Sequence, residues 1–174
     1  MTESETVRIL VLDTETASLT QGVVDIALAC VDEDFQVYWK IESLIDPECE
    51  ISPQAMGVHH ITQEMVWDQP TLEEFMRTHR YPLSDVDVII GHKVDFDIRF
   101  VRDYLPERFE VIDTLKLSRH LWPDAENHKL QTLRYTFGLD AGSAHRAMGD
   151  VTTTISLARH ICEAADTDAR GLLQ

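Results

Sequence analysis

Basic charge is scarce in this chain. Over 174 residues, 15 Lys and Arg stand against 31 Asp and Glu, a formal net charge of −16. A uniformly cationic surface of the kind that grips polyphosphate is thereby excluded. Cysteine is scarce too. Cys30, Cys49 and Cys162 are odd in number, scattered, and without CxxC or zinc-ligand spacing. A disulfide-stapled framework is excluded, and reduced thiols in a cytoplasmic compartment are expected. No apolar run is long enough to span a bilayer, so no membrane association is expected. The acidic, polar start MTESETVRI is unlike a secretory signal. Repeats, low-complexity segments and linkers are also missing. One domain over 1–174 is expected, with about 1–6 and 166–174 as flexible tails.

The charge that is present is unevenly placed. Residues 1–90 hold 4 Lys/Arg against 18 Asp/Glu, whereas residues 91–174 hold 11 against 13. The acidic surplus reads first as a solvated, solubilising surface. A basic partner protein or adaptation to high salt are the other readings. The second half can still present a local basic patch from Lys93, Arg99, Arg102, Lys116, Arg119, Lys129 and Arg146.

Hydrophobic patterning gives the element order. Val7–Leu12 is a β-branched apolar run suited to a buried central strand. Residues 23–31 and 35–43 complete a three-stranded antiparallel meander. Ser52-Pro53, Thr62 and Thr71 mark helix starts. Residues 86–91 form a further strand, and 96–104 a helix with Phe96, Phe100 and Val101 on one face. Residues 109–112 form the last strand, and Asp113 caps the helix after it. A helix over 129–137 ends at Gly138. The last helix starts near Ala147 with Val151, Ile155, Ala158 and Cys162 as its buried stripe. An antiparallel meander followed by βαβ connections predicts an α/β protein with a mixed central sheet and helices on its faces.

Carboxylates stand at the edges of these apolar segments. Asp13 and Glu15 end the first strand, Asp97 opens a helix, and Asp150 lies in the first turn of the last helix. Taken alone, Asp13 or Glu15 reads first as a strand-end turn residue, and Asp97 or Asp150 as a first-turn stabiliser. Jointly they match a two-metal phosphodiester-cleaving centre, because a divalent cation makes a crowd of half-buried carboxylates tolerable. In an extended strand Asp13 and Glu15 share a side. His145 precedes Asp150 in a loop, where a neutral imidazole suits a general base.

The motifs Asp13-Thr14-Glu15, His92-x-Val94-x-Phe96-Asp97 and His145-Arg146-Ala147-x-x-Asp150 together resemble those of the DEDDh, DnaQ-like 3′→5′ exonucleases. Leu130 with Leu133 fits as well. Ile51–Met56, His59-x-Ile61-Thr62 and the stretch through Trp122-Pro123 resemble the exodeoxyribonuclease X branch most. The resemblance implies a ribonuclease H-like fold: three antiparallel strands, then parallel strands, with flanking helices. It implies that Asp13, Glu15, Asp97 and Asp150 hold two Mg²⁺ ions, with Mn²⁺ as a substitute, and that His145 activates water. Nucleoside 5′-monophosphates would leave a nucleic-acid 3′ end, DNA in the first reading and short RNA or RNA 3′ ends in the second. A proofreading or scaffold module for a polymerase or another protein is the third reading, and oligomeric state is left open. Thr14, Thr16, Ala17 and Leu19 follow as contacts to the terminal nucleotide, with His59, His92 and Lys93 as further substrate contacts. His59 reads equally as a loop-packing residue. Lys93 replaces the asparagine usual in the family, and Asp95 competes with Asp97.

Overall fold

A computed structural model describes residues 7–140 and 142–173. The apolar run Ile9–Leu12 is fully buried and opens β1 (Ile9–Thr16), which continues through the first acidic motif. β2 (Val23–Val31) and β3 (Val37–Leu44) follow as the antiparallel meander. Four short helices come next: α1 (Pro53–His59), α2 (Gln63–Val66), α3 (Leu72–Thr78) and α4 (Arg80–Leu83). β4 (Val88–Gly91), α5 (Asp95–Val101), β5 (Glu110–Asp113), α6 (Thr114–Leu121), α7 (Leu130–Phe137) and α8 (Ala147–Ala165) complete the chain order. The strand order is β3-β2-β1-β4-β5, with β4 parallel to both β1 and β5. This is the mixed sheet that the patterning predicts.

Side-chain parity along β1 divides the core. Ile9 and Val11 pack with Ala27, Ala29 and Ile90 against Val151, Ile155, Ala158 and Cys162 of α8. Leu10 and Leu12 face the other way, toward Phe75, Met76, Leu83 and Val101. Successive residues of a strand point to opposite faces, so the rule extends into the acidic motif. Asp13 and Glu15 take the α8 side, and Thr14 takes the α5 side.

Local sequence signals hold at several ends. Ser52 accepts a hydrogen bond from the Ala55 amide ahead of Pro53, and Thr71 with Glu74 forms a reciprocal capping box. Asp113 closes β5 and accepts from the Leu115 amide to start α6. Other boundaries move. The third strand begins at Val37 rather than 35, because Phe35 turns the chain at φ +59° with its ring buried. The helix expected over 96–104 is α-helical only to Val101 and tightens to a 3₁₀ turn at Arg102–Tyr104. Phe96 stays half-buried outside the core that holds Phe100 and Val101, though its ring meets that of Phe100 at 5.5 Å. The tail expected from about residue 166 instead packs back: Ala169 is buried, and Leu172 and Leu173 lie against the α8 cluster. The tail expected over 1–6 lies outside the described residues. Among the described residues, no helix is long and apolar enough to cross a membrane.

Gly138 ends α7 in the left-handed region at φ +63°, with open space where a Cβ would sit. Gly138→Ala therefore tests backbone conformation alone. A loss of about 1 kcal/mol is expected from the left-handed penalty, read from urea unfolding midpoints.

Candidate active site

The site is built at the end of β1. There the strand breaks register between Glu15 and Thr16, and Glu15 lies opposite Asp25 of β2. The backbone amide and hydroxyl of Thr14 both donate to Asp97 Oδ1, at 2.9 and 2.7 Å. Thr14 thus uses its opposite-facing position to tie the first turn of α5 to the strand that carries Asp13 and Glu15. Asp97 is buried, whereas Asp95 is exposed and pairs with Lys116 at 2.9 Å. The geometry draws Asp97, and not its competitor, into the group.

Residues 92–94 lead β4 into α5. Lys93 has φ +68°, and its backbone amide donates to Asp113 at 3.0 Å. Asparagine is enriched among non-glycine residues in this left-handed region. That is a backbone reason for the asparagine the resembled family favours, independent of any substrate contact. His92 has both ring nitrogens engaged, with Thr114 Oγ1 at 3.0 Å and the His128 carbonyl at 2.8 Å. It pins β4, α6 and the 122–129 segment to one another and presents no spare ring nitrogen to a substrate.

The third motif is held from three sides. Asp150 lies in the first turn of α8, where the helix dipole favours an anion, and accepts from Gln131 Nε2 at 2.7 Å. Arg134 of α7 donates to the Gly142 carbonyl. The turn before α8 presses on Gly149 so closely that a Cβ there would fall 1.9 Å from the Ser143 carbonyl oxygen. His145 sits in that turn at φ +57°, its side chain exposed. A non-glycine residue in this region is strained, and such strain clusters where a side chain is presented for use.

The electrostatics follow from crowding. Burial, then Asp97, Asp150 and Glu15, push the Asp13 carboxyl well above its ordinary range. Burial and the Asp150 charge raise Glu15 to about 8. Burial raises Asp97 to about 7, against the pull of the Thr14 hydrogen bonds. Asp150 is raised by burial as well. One ligand atom each from Glu15, His145 and Asp150 lies within 4.8 Å of the other two. Carboxylates that repel one another in a desolvated corner, with oxygen donors grouped this tightly, fit a divalent cation. The tight group contains His145, which the sequence reading keeps apart from the ligands.

Two depressions flank these carboxylates. A cavity of about 470 Å³ is lined by Glu15, Thr16, Leu19, Val58, His59 and Phe96, among others. Leu19 is 73% exposed at its mouth, and its carbonyl accepts from Arg99, whose guanidinium covers Phe96 at 4.2 Å. Ala17 does not reach this cavity: it is fully buried, with both backbone groups bonded, to Gly22 and Ser52. His59 is buried with Nδ1 accepting from the Ile61 amide, and burial lowers its pKa. On the other side lies a groove of about 1100 Å³ that reaches Asp150 and His145. Lys93, Arg99, Lys116, Arg119 and Lys129 line it. Among the described residues Lys93, Arg119 and Lys129 form no salt bridge. Arg102 and Arg146 are spent elsewhere, on the Pro106 and Glu107 carbonyls and on Asp25.

Gln131, Asp25 and Gly149 escape sequence reasoning. Asp25 left a signal, a lone charge in the otherwise apolar strand VVDIALACV. Gln131 left none, since a polar residue on a helix facing solvent looks the same.

Residues 10–158 match the RNase_T family model, described as an exonuclease. Exodeoxyribonuclease 10 of Escherichia coli strain K12 is 35% identical over 152 residues, covering 84% of this chain and 65% of that protein. A PolC-type DNA polymerase III of Lacticaseibacillus paracasei is 35% identical over 155 residues, covering 83% of this chain but 10% of the polymerase. The chain therefore spans just under two thirds of the first relative and a tenth of the second. A solved structure of exonuclease X in complex with 5′ overhanging duplex DNA superposes with a TM-score of 0.78 at 32% identity, covering 95% of this chain and 97% of that one. The mixed sheet is accordingly of the ribonuclease H-like exonuclease type.

The raised carboxyls give a signed pH dependence. Glu15 binds its proton more tightly in the folded state than at its ordinary 4.5, so ionisation favours unfolding between about 4.5 and about 8. Asp97 acts likewise between 3.8 and about 7. In chelator, the thermal midpoint is expected to fall as pH rises through this window. Mg²⁺ should raise it more at the alkaline end than at the acid end, and Asp13→Asn in chelator should flatten the slope. Scanning fluorimetry across pH, with and without Mg²⁺, reads all three.

Proposed function

This chain belongs to the RNase_T exonuclease family, and we propose that it is a metal-dependent 3′→5′ exonuclease releasing nucleoside 5′-monophosphates from DNA. The observation that carries the reading is the convergence of Asp13, Glu15, Asp97 and Asp150, from three separate elements, beside an exposed His145. In this reading the four carboxylates hold two Mg²⁺ ions, with Mn²⁺ as substitute. When bound, the ions supply positive charge for the attacking and leaving oxygens of an in-line displacement.

The chain's own side chains do the rest. His145 takes a proton from water, and its strained turn keeps the ring solvent-exposed yet close to Glu15 and Asp150. Leu19 and Phe96 offer apolar surface on which a terminal base can rest. Thr16 and His59 line the same cavity. The cations of the adjoining groove meet the phosphates of the polynucleotide, which resolves the conflict between a chain of net charge −16 and a polyanionic substrate. DNA is preferred over RNA because the exonuclease X structure holds DNA and the E. coli relative is an exodeoxyribonuclease. An exoribonuclease would differ in contacts to the 2′-hydroxyl. The match to a tenth of PolC-type polymerases favours a second reading, a proofreading module working beside a polymerase.

One gel tests the first reading: 3′- and 5′-labelled DNA and RNA oligomers, incubated with Mg²⁺ or chelator. A ladder from the 3′ end on DNA, absent in chelator, is expected. Activity that appears only with an added polymerase would favour the second reading. Asp13→Ala and Asp150→Ala are expected to abolish cleavage while the fold persists. His145→Ala should lower turnover by roughly 10²–10⁴, the usual share of a general base. A full rate in that variant sinks its role.

The groove generates a separate expectation. With Lys93, Arg119 and Lys129 all changed to Gln, the slope of log KM against log salt on single-stranded oligomers should fall by about 2. Each phosphate contact to a single strand contributes about 0.7.

A further inference from the structure

We propose that Asp25 is a positioning residue of the site, and that through Arg146 it fixes the first turn of α8, and with it Asp150 and His145, against Glu15. Asp25 is 1% exposed, on the α8 face of β2, directly opposite Glu15. Its Oδ2 accepts from Arg146 Nε at 2.9 Å and from the Ala147 amide at 3.3 Å. Both donors belong to the residues on which α8 begins, one and two positions after His145.

Packing alone does not account for this carboxylate. The other eight residues of β2 are apolar, and Asp25 Oδ1 has no hydrogen-bond partner among the described residues. A buried carboxylate paired with a half-exposed guanidinium, and left with one unsatisfied oxygen, is weak evidence of stabilisation over an apolar side chain of similar volume. Asp25 also adds to the negative field that raises Asp13 and Glu15, while Arg146 partly relieves Glu15. What the pair does supply is direction. It fastens the start of α8 to the strand neighbouring β1, so that the turn carrying His145 at φ +57° is anchored at its α8 end by Asp25, in addition to the Arg134 bond to Gly142 and the close packing of Ser143 on Gly149.

The inference rests on the exonuclease reading, and its test separates the two. Asp25→Asn, Arg146→Gln, Arg146→Lys and the double Asp25→Asn/Arg146→Gln variant are compared with the unaltered chain. Three measurements are made: kcat and KM on a labelled DNA oligomer with Mg²⁺, thermal midpoint, and hydrogen exchange of peptides covering 143–153 in chelator. Each neutral single variant is expected to lower kcat about 10–100-fold, the usual effect of an outer-shell partner, with KM nearly unchanged. The double variant should be no worse than the poorer single, since the two act as one unit. Arg146→Lys should recover part of the rate, and exchange over 143–153 should rise while the sheet peptides hold. Arg146→Gln raising KM while Asp25→Asn is silent would overturn the proposal, because Arg146 would then serve substrate. Losses that multiply in the double variant, or unchanged exchange, would overturn it as well. If Asp25→Asn fails to fold, Arg146→Gln carries the test, its side chain being 41% exposed. If the unaltered chain hydrolyses nothing, the exonuclease reading falls, and the exchange measurements still decide the positioning.

Discussion

Repulsion among carboxylates gathered at the end of one buried strand is the constraint on which this structure turns. Asp13, Glu15, Asp97 and Asp150 each lose water, and each raises the cost of ionising its neighbours. Side chains so placed would turn away from one another unless something held them. Two of the four, Asp97 and Asp150, are held by neutral or backbone donors. Thr14 takes Asp97 with two hydrogen bonds, and Gln131 takes Asp150 with one. None of these donors cancels the negative charge. They fix oxygen positions and leave the charge for a cation to neutralise, which distinguishes a prepared binding site from a network of internal ion pairs.

The same constraint explains why the elements meet as they do. Parity sends Asp13 and Glu15 toward α8 and Thr14 toward α5, so one strand end serves both faces of the sheet. Asp97 and Asp150 both come from first helical turns, where the dipole offsets part of the charge. The α8 approach must also be tight, because an imidazole in a loose turn would not stay near Glu15 and Asp150. Gly149 permits the approach, since any side chain at that position would collide with the Ser143 carbonyl.

Local chemistry was legible in the residue order, and spatial roles were less so. The apolar run of β1, the Pro53 and Thr71 helix starts, the stripe Val151, Ile155, Ala158, Cys162 and the Gly138 cap all follow from periodicity and end signals, and the structure has them. The three acidic motifs meet, as their order suggested, because β1 is central and the other two arrive at its end. Ala17 and His92 fall differently, for a shared reason. A small residue or a histidine beside a motif looks available in one dimension, while burial or two hydrogen bonds remove it in three. Asp25 is the opposite case. A charge inside an apolar strand was visible, but its meaning needed a partner 121 residues away.

Charge distribution carries the last step. A chain of net charge −16 repels a polyanion over most of its surface, and at about 0.15 M salt that repulsion is felt over roughly 8 Å. The groove beside α5, α6 and α7 departs from this, because five cations line it against Asp95, Asp113 and Asp150. Asp95 and Asp113 are both within reach of Lys116, and Asp113 is further engaged by two backbone amides. Their charge is therefore largely local, and Asp150 is the carboxylate a cation would neutralise. What remains uncompensated in the groove is positive. In the proposed reading, an acidic body with a cationic furrow leading to the carboxylates disfavours a polyanion over most of its surface and admits it beside the reacting groups. The acidic composition that by itself argues against a nucleic acid thus becomes, in that reading, a means of directing it along the groove.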